Sequence, residues 1–238
     1  MTEGSLCRAP GREARLRELD RIVKGGLIVS CQPVENGPLD DDEVVLRLAL
    51  AALSGGASAV RIEGAARVAR VRQGITAPII GIVKRDLADS PVRITPLMED
   101  VQALLRAGAD VIAVDATERV RPVPVRELLQ AIHAGGAVAM ADCSCLADAR
   151  AAAALGFDIV GTTLSGYTSD EVPSEPDYEL LASLSRQLPR VMAEGRYNTP
   201  EQAAQAIQLG AWAVTVGTAI TRTEAVAAWF KTALETRS

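Results

Sequence analysis

Eight times along this chain a short apolar stretch runs into a polar residue or a glycine, and a segment of helical pattern follows. The stretches end at Gln32 (GLIVSCQ), Glu63 (SAVRIE), Lys84 (PIIGIVK), Asp115 (DVIAVD), Asp142 (AVAMAD), Thr163 (DIVGTT), Glu194 (RVMAE) and Gly217 (WAVTVG). Strands covered on both faces read as apolar runs rather than as alternation. Eight such units in 238 residues suit the roughly 250 residues of one closed barrel of eight parallel strands and eight helices. The fold class predicted is therefore α/β, a (β/α)8 TIM barrel in a single domain. An N-terminal helix in residues 1–24 caps it, and residues 25–238 form the barrel. Strand ends then converge on one mouth, where such barrels keep their chemistry.

The finer reading places strands at 27–31, 59–62, 78–83, 111–114, 137–141, 159–161, 190–193 and 213–216. Before them, a helix over 12–24 puts Leu16, Leu19, Ile22 and Val23 on one face, suited to lidding the bottom of the barrel. Gly25–Gly26 ends it, as glycine does after a helix. Its basic and acidic residues are interspersed and read as a solvated face. The turn-rich segment 84–96 is expected to be loop. Residues 162–176 (TTLSGYTSDEVPSEP) form the longest polar excursion and the best flexible lid. A short extra helix is expected at 218–222, before the last outer helix.

Composition narrows the function. A net charge of −5 with scattered basic residues offers no basic stripe for nucleic acid. No apolar run reaches the 18 or so residues of a membrane span, and the first residues lack a signal-peptide core, so a cytoplasmic location is expected. Four cysteines, Cys7, Cys31, Cys143 and Cys145, are too few for a disulfide framework in a chain this long, and they read as incidental thiols. The single histidine, His133, falls at a helix end on the far side from the mouth. Histidine acid–base catalysis and histidine-rich metal sites are thereby disfavoured, which leaves lysine, carboxylate, tyrosine and cysteine for proton transfer.

Lys84 ends an otherwise apolar strand, where desolvation lowers an ammonium's pKa towards that of a usable base. Its bland alternatives are a phosphate anchor or an ion pair with Asp86 or Asp142. Glu194 ends the strand four places round the ring and is positioned to face Lys84 across a substrate. Its alternatives are charge pairing with Arg196 or Arg61. Arg61 points opposite to Val60 and Ile62, but parity alone leaves open whether it faces the mouth or pairs with Glu63. Asp142 and Asp115 are available to orient a hydroxyl or to pair with Lys84. Gly195 and Gly217 let backbone amides approach an anion closely. With Arg196 and Arg222 they suggest a phosphate site after the seventh and eighth strands, at the short extra helix.

The strings GGLIVSCQ (25–32), ASAVRIEG (57–64), IVKRD (82–86), GADVIAVDAT (108–117), GTTLSGYT (161–168), AEGRYNTPEQA (193–203) and GAWAVTVGTAITR (210–222) resemble the N-acetylmannosamine-6-phosphate 2-epimerases. The resemblance runs from about Gly25 to Arg222. It implies inversion at C2 of a phosphorylated N-acyl amino sugar in sialic acid and amino-sugar catabolism, with no cofactor and no metal. In these terms Lys84 and Glu194 match the catalytic pair. Gln32, Arg61, Asp142 and Thr163 match substrate-contacting positions, and Gly195, Arg196, Asn198, Gly217, Thr218 and Arg222 match the phosphate segments. The chain departs from the family pattern in the loop 33–36, at Arg93 and at Cys145. A Schiff-base lyase acting through Lys84, a non-catalytic sugar-phosphate-binding barrel and a metal amidohydrolase are the rival readings. A homodimer through the apolar C-terminal region is a further expectation.

Overall fold

The structure is a computed structural model that describes residues 11–168 and 172–235. Cys7, the start of the capping segment, residues 169–171 of the polar loop and the last three residues lie outside the described residues. Helix α1 (Arg12–Val23) precedes an unbroken alternation: β1 (Leu27–Cys31), α2 (Asp42–Ser54), β2 (Ala59–Glu63), α3 (Ala65–Arg72), β3 (Ile79–Ile82), α4 (Met98–Ala107), β4 (Val111–Asp115) and α5 (Val125–Ala134). The second half continues with β5 (Val138–Asp142), α6 (Leu146–Leu155), β6 (Ile159–Gly161), α7 (Tyr178–Ser185), β7 (Val191–Glu194), α8 (Pro200–Gln208), β8 (Ala213–Val216), α9 (Thr218–Thr221) and α10 (Thr223–Glu235). All eight strands pair in parallel, and β8 returns to β1 to close the barrel.

Strand parity divides the core in two. Val29, Val60, Ile62 and Val114 point outwards and pack under the helices. Ile28, Ala59, Ile80, Ala113, Met140 and Met192 fill the barrel itself. Arg61 lies between Val60 and Ile62 on β2 and so faces inwards. Helix starts are fixed locally: Asp41 accepts N–H bonds from Glu43 and Val44 before α2. Thr199 and Gln202 form a capping box with Pro200 in the first turn of α8, satisfying amides that have no intrahelical acceptor.

The strands differ from expectation mainly at their ends. β2, β4, β5 and β7 run one residue further, to Glu63, Asp115, Asp142 and Glu194, because neighbours such as Asp115↔Asp142 and Glu194↔Thr215 still pair. β3 is shorter than 78–83, since Pro78 has no N–H to give a ladder and Val83 bonds through both its backbone groups to Thr95. Residues 84–96 are not plain loop. Lys84 bridges Ile94 and Leu87 bridges Ser90, both antiparallel, so this segment folds back as a hairpin over the mouth.

The floor is sealed by α1, whose Leu19 and Val23 join Trp212 in the interior cluster. Its polar face is less solvated than the charge pattern suggests. Arg12 pairs with Asp158, Arg15 with Asp110, and Asp20 with Arg190. These contacts anchor the helix to the loops beneath the strands. His133 Nε2 lies 2.9 Å from Asp158 Oδ2 in this same seal, remote from the mouth.

Candidate active site

At the carboxyl ends of the strands the barrel opens into a cavity of about 630 Å³. Arg61 forms its centre. The side chain is only 1% exposed, with NH2 2.6 Å from Asp142 Oδ2 and NH1 2.7 Å from Glu194 Oε2. Asp142 is fully buried behind it and also accepts a 2.6 Å hydrogen bond from the Thr163 hydroxyl. Burial opposes the charge of Arg61, but Asp142 and Glu194 outweigh it and raise its pKa. The alternative pairing with Glu63 is not found. Glu63 instead accepts the Lys84 backbone N–H at 3.3 Å and lies 3.7 Å from Arg67.

Glu194 serves two cationic neighbours in a nearly closed space. Burial pushes its carboxyl up to about 7; Arg61 and Lys84 pull it down, while Asp142 adds to the rise. Such a group exchanges protons near neutrality, as a general acid or base requires. The Lys84 amine moves the other way. Burial lowers its pKa most, and Arg61 and Arg222 lower it further. Neither carboxylate suggested as its partner is available: Asp86 is held by Arg93 at 2.6 Å and Asp142 by Arg61. Among the described residues no carboxylate pairs with the Lys84 amine within 4 Å, so it lines the cavity without a direct ion pair. Glu194, by contrast, does pair with Arg61.

A third group lies across β7, β8 and β1. Gly195 has a φ of 110° and Arg196 a φ of 64°, so the chain makes a left-handed turn at the rim that glycine enters without steric cost. Arg222 lines the cavity and donates through Nε to the Gln32 carbonyl at 3.0 Å. Gln32 donates to the Ser30 hydroxyl at 2.6 Å. Gly217 caps α9, and Thr218 opens it. Asn198 lines the same wall while its backbone N–H bonds to Gln202. Arg196 is less free: its guanidinium donates to the carbonyls of Glu175 and Ser165 and lies 5.2 Å over the Tyr167 ring.

These observations can be set beside known proteins. The family described as "Putative N-acetylmannosamine-6-phosphate epimerase" matches residues 45–236. A Klebsiella pneumoniae (strain 342) protein named "Putative N-acetylmannosamine-6-phosphate 2-epimerase" is 59% identical over 92% of this chain and 95% of its own length. An Escherichia coli (strain K12 / DH10B) protein of the same name is 58% identical over 92% and 97%. Among solved structures, the N-acetylmannosamine-6-phosphate 2-epimerase from Clostridium perfringens superposes with a TM-score of 0.87 at 43% identity, over 90% of this chain and 95% of that one. The chain belongs to the N-acetylmannosamine-6-phosphate epimerase family. A thiamine phosphate pyrophosphorylase from Pyrococcus furiosus, at TM-score 0.61 and 19% identity, shares the fold alone.

In this epimerase the structure brings Lys84, Glu194, Arg61, Gln32, Thr163 and the rim residues of β7 and β8 to one cavity. Asp142 does not reach its wall and acts on it through Arg61. Of the departures from the family pattern, Arg93 lines the mouth, and Cys145 is an exposed free thiol before α6. Sequence reasoning missed Thr215, Arg119, Tyr167 and Trp229, which also line the epimerase cavity. Thr215 was findable, because it shares inward parity with Gly217. Trp229 was not, because it comes from α10, whose place over the mouth depends on the turn at α9.

Proposed function

We propose that this family member inverts C2 of N-acetylmannosamine 6-phosphate to give N-acetylglucosamine 6-phosphate. The observation that carries the reading is that the Lys84 amine and the Glu194 carboxyl line one cavity, with Gly195, Gly217 and Arg222 on its adjoining rim. A C2–H bond is acidic only beside a carbonyl, so the pyranose must open first. In this reading Glu194 moves the proton between the C1 hydroxyl and the ring oxygen, freeing the C1 aldehyde. Lys84 then takes the C2 proton; the pair of the broken C–H bond becomes the C1=C2 double bond and the carbonyl π pair moves onto the C1 oxygen, giving an enolate that keeps the N-acyl group on C2. Arg61, fixed by Asp142, supplies preorganised positive charge near that oxygen. A proton returned to the opposite face of C2 regenerates the aldehyde with inverted configuration, and Gln32 and Thr163 contact the sugar.

The phosphate is assigned to Gly195, Arg196, Asn198, Gly217, Thr218 and Arg222. Arg222 dominates, because it lines the cavity and has no carboxylate partner among the described residues, whereas Arg196 is already committed to the 162–176 loop. The test is proton NMR of N-acetylmannosamine 6-phosphate with the protein in heavy water. The expected outcome is growth of the epimer with deuterium entering C2. Substrate binding without exchange would leave a non-catalytic sugar-phosphate barrel, and a borohydride-trapped adduct on Lys84 would indicate Schiff-base chemistry instead.

A homodimer is part of the same proposal. Helix α10 buries none of its residues and exposes Phe230 and Leu234, an apolar surface that a second copy would cover. Light scattering giving a monomer mass would remove it. A cytoplasmic location is proposed with it, supported by the three described cysteines being free thiols.

A further inference from the structure

The two proposed catalytic residues share an unusual kind of support. Around the barrel, β3 with β4 and β6 with β7 have the shortest registers, Ile80↔Val111 and Gly81↔Ile112 in one seam, Val160↔Val191 and Gly161↔Met192 in the other. Lys84 and Glu194 lie just beyond these two seams, where ladder bonds have ended. In each seam a buried threonine hydroxyl takes the place of the missing ladder.

Thr95 is completely buried in the β3/β4 seam. Its N–H donates to the Val83 carbonyl at 2.7 Å, and its hydroxyl accepts the Val83 N–H at 3.2 Å and donates to the Ala113 carbonyl at 2.7 Å. It has a φ of 47°, a costly conformation for a β-branched residue that persists only where its surroundings impose it. Thr162, also buried, bridges the β6/β7 seam. Its N–H donates to the Met192 carbonyl at 3.1 Å, and its hydroxyl donates to the Glu194 carbonyl at 2.8 Å and accepts the Glu194 N–H at 3.1 Å. A β-branched side chain has few χ1 options, so each hydroxyl holds a fixed direction.

We infer that Thr95 and Thr162 are positioning residues for the epimerisation, setting where the Lys84 amine and the Glu194 carboxyl meet the sugar. This rests on the roles given to Lys84 and Glu194 above. Valine is nearly isosteric with threonine and keeps its χ1 preference, but it removes the hydroxyl and frees both seams. Thr95→Val and Thr162→Val are each expected to lower kcat about 10- to 100-fold, the scale of a small misplacement of reacting groups, with KM within about threefold of the parent. Thr95→Ser and Thr162→Ser restore the hydroxyl and are expected to retain kcat within about threefold.

The four variants are assayed with N-acetylmannosamine 6-phosphate below their melting temperatures, with Lys84→Ala in parallel. Valine variants that keep kcat, or that raise KM alone, overturn the inference. Serine variants as slow as the valines overturn it too, and decide the matter where a valine variant does not accumulate folded. If Lys84→Ala still exchanges the C2 proton, the underlying reading fails instead.

Discussion

The two ends of the barrel use the same strands for opposite purposes. At the floor, α1 closes the lumen with Leu19, Val23 and Trp212, and its charges meet as ion pairs: Arg12 with Asp158, Arg15 with Asp110, Asp20 with Arg190. At the mouth the lumen stays open, and Lys84 and Arg222 lack carboxylate partners among the described residues. An exposed amine without an ion-pair partner adds nothing to packing, so its presence at the mouth marks where binding and chemistry were selected over packing. The buried Arg61 triad belongs to the same end. A buried ion network of this kind is weak support for stability, and its worth here lies in fixed charge.

The comparison is broken most directly at its strongest point. Lys84→Ala should lower kcat/KM about 10²- to 10⁴-fold, the contribution of a positioned proton-transfer group, and abolish deuterium entry at C2. Retained exchange would remove the lysine from the reaction. Glu194→Gln should come next in effect on kcat, and it carries a separate signature in stability. With a folded pKa of about 7 against an ordinary 4.5, the folded state holds a proton that the unfolded state has released. Stability should therefore fall as pH rises from about 4.5 to about 7. Denaturant midpoints across that range should slope downwards in the parent, and the slope should flatten in Glu194→Gln.

Arg222→Ala should chiefly raise KM, about 10- to 100-fold if the charge-assisted bonds to phosphate are lost, with little change in kcat. An unaltered KM would mean that Arg222 serves only its bond to Gln32. At the other end, Trp212→Ala should leave kcat of the folded protein untouched while costing about 3–5 kcal/mol of stability, read by chemical denaturation. A fall in kcat there would show that floor and mouth are coupled, against the division drawn above.

Much of the site was legible in the chain because strand ends are punctuated. An apolar run ended by lysine, aspartate or glutamate marks the end of a strand at the mouth, and Lys84, Asp142 and Glu194 each stand at such an end. Arg61 resisted for the opposite reason. It lies within a run, and parity gives two faces without saying which is the lumen. Only closure of the ring, with Ala59 inside and Val60 and Ile62 outside, turned it inwards onto Asp142 and Glu194. The hairpin over 84–96 was missed because its pairing is two isolated bridges stabilised by Thr95, a long-range contact with no local pattern.

Apolar runs and strand-end residues alone dictated the eightfold barrel and the cast of its mouth, since both follow from short apolar stretches alternating with helical segments along the backbone. The ion network about Arg61, the want of a direct ion pair at Lys84 among the described residues, the diversion of Arg196 to the 162–176 loop and the threonine links across the seams were settled only by three-dimensional closure. Each depends on distances between residues remote in the chain, and burial, which shifts their pKa values, exists only once the ring has shut.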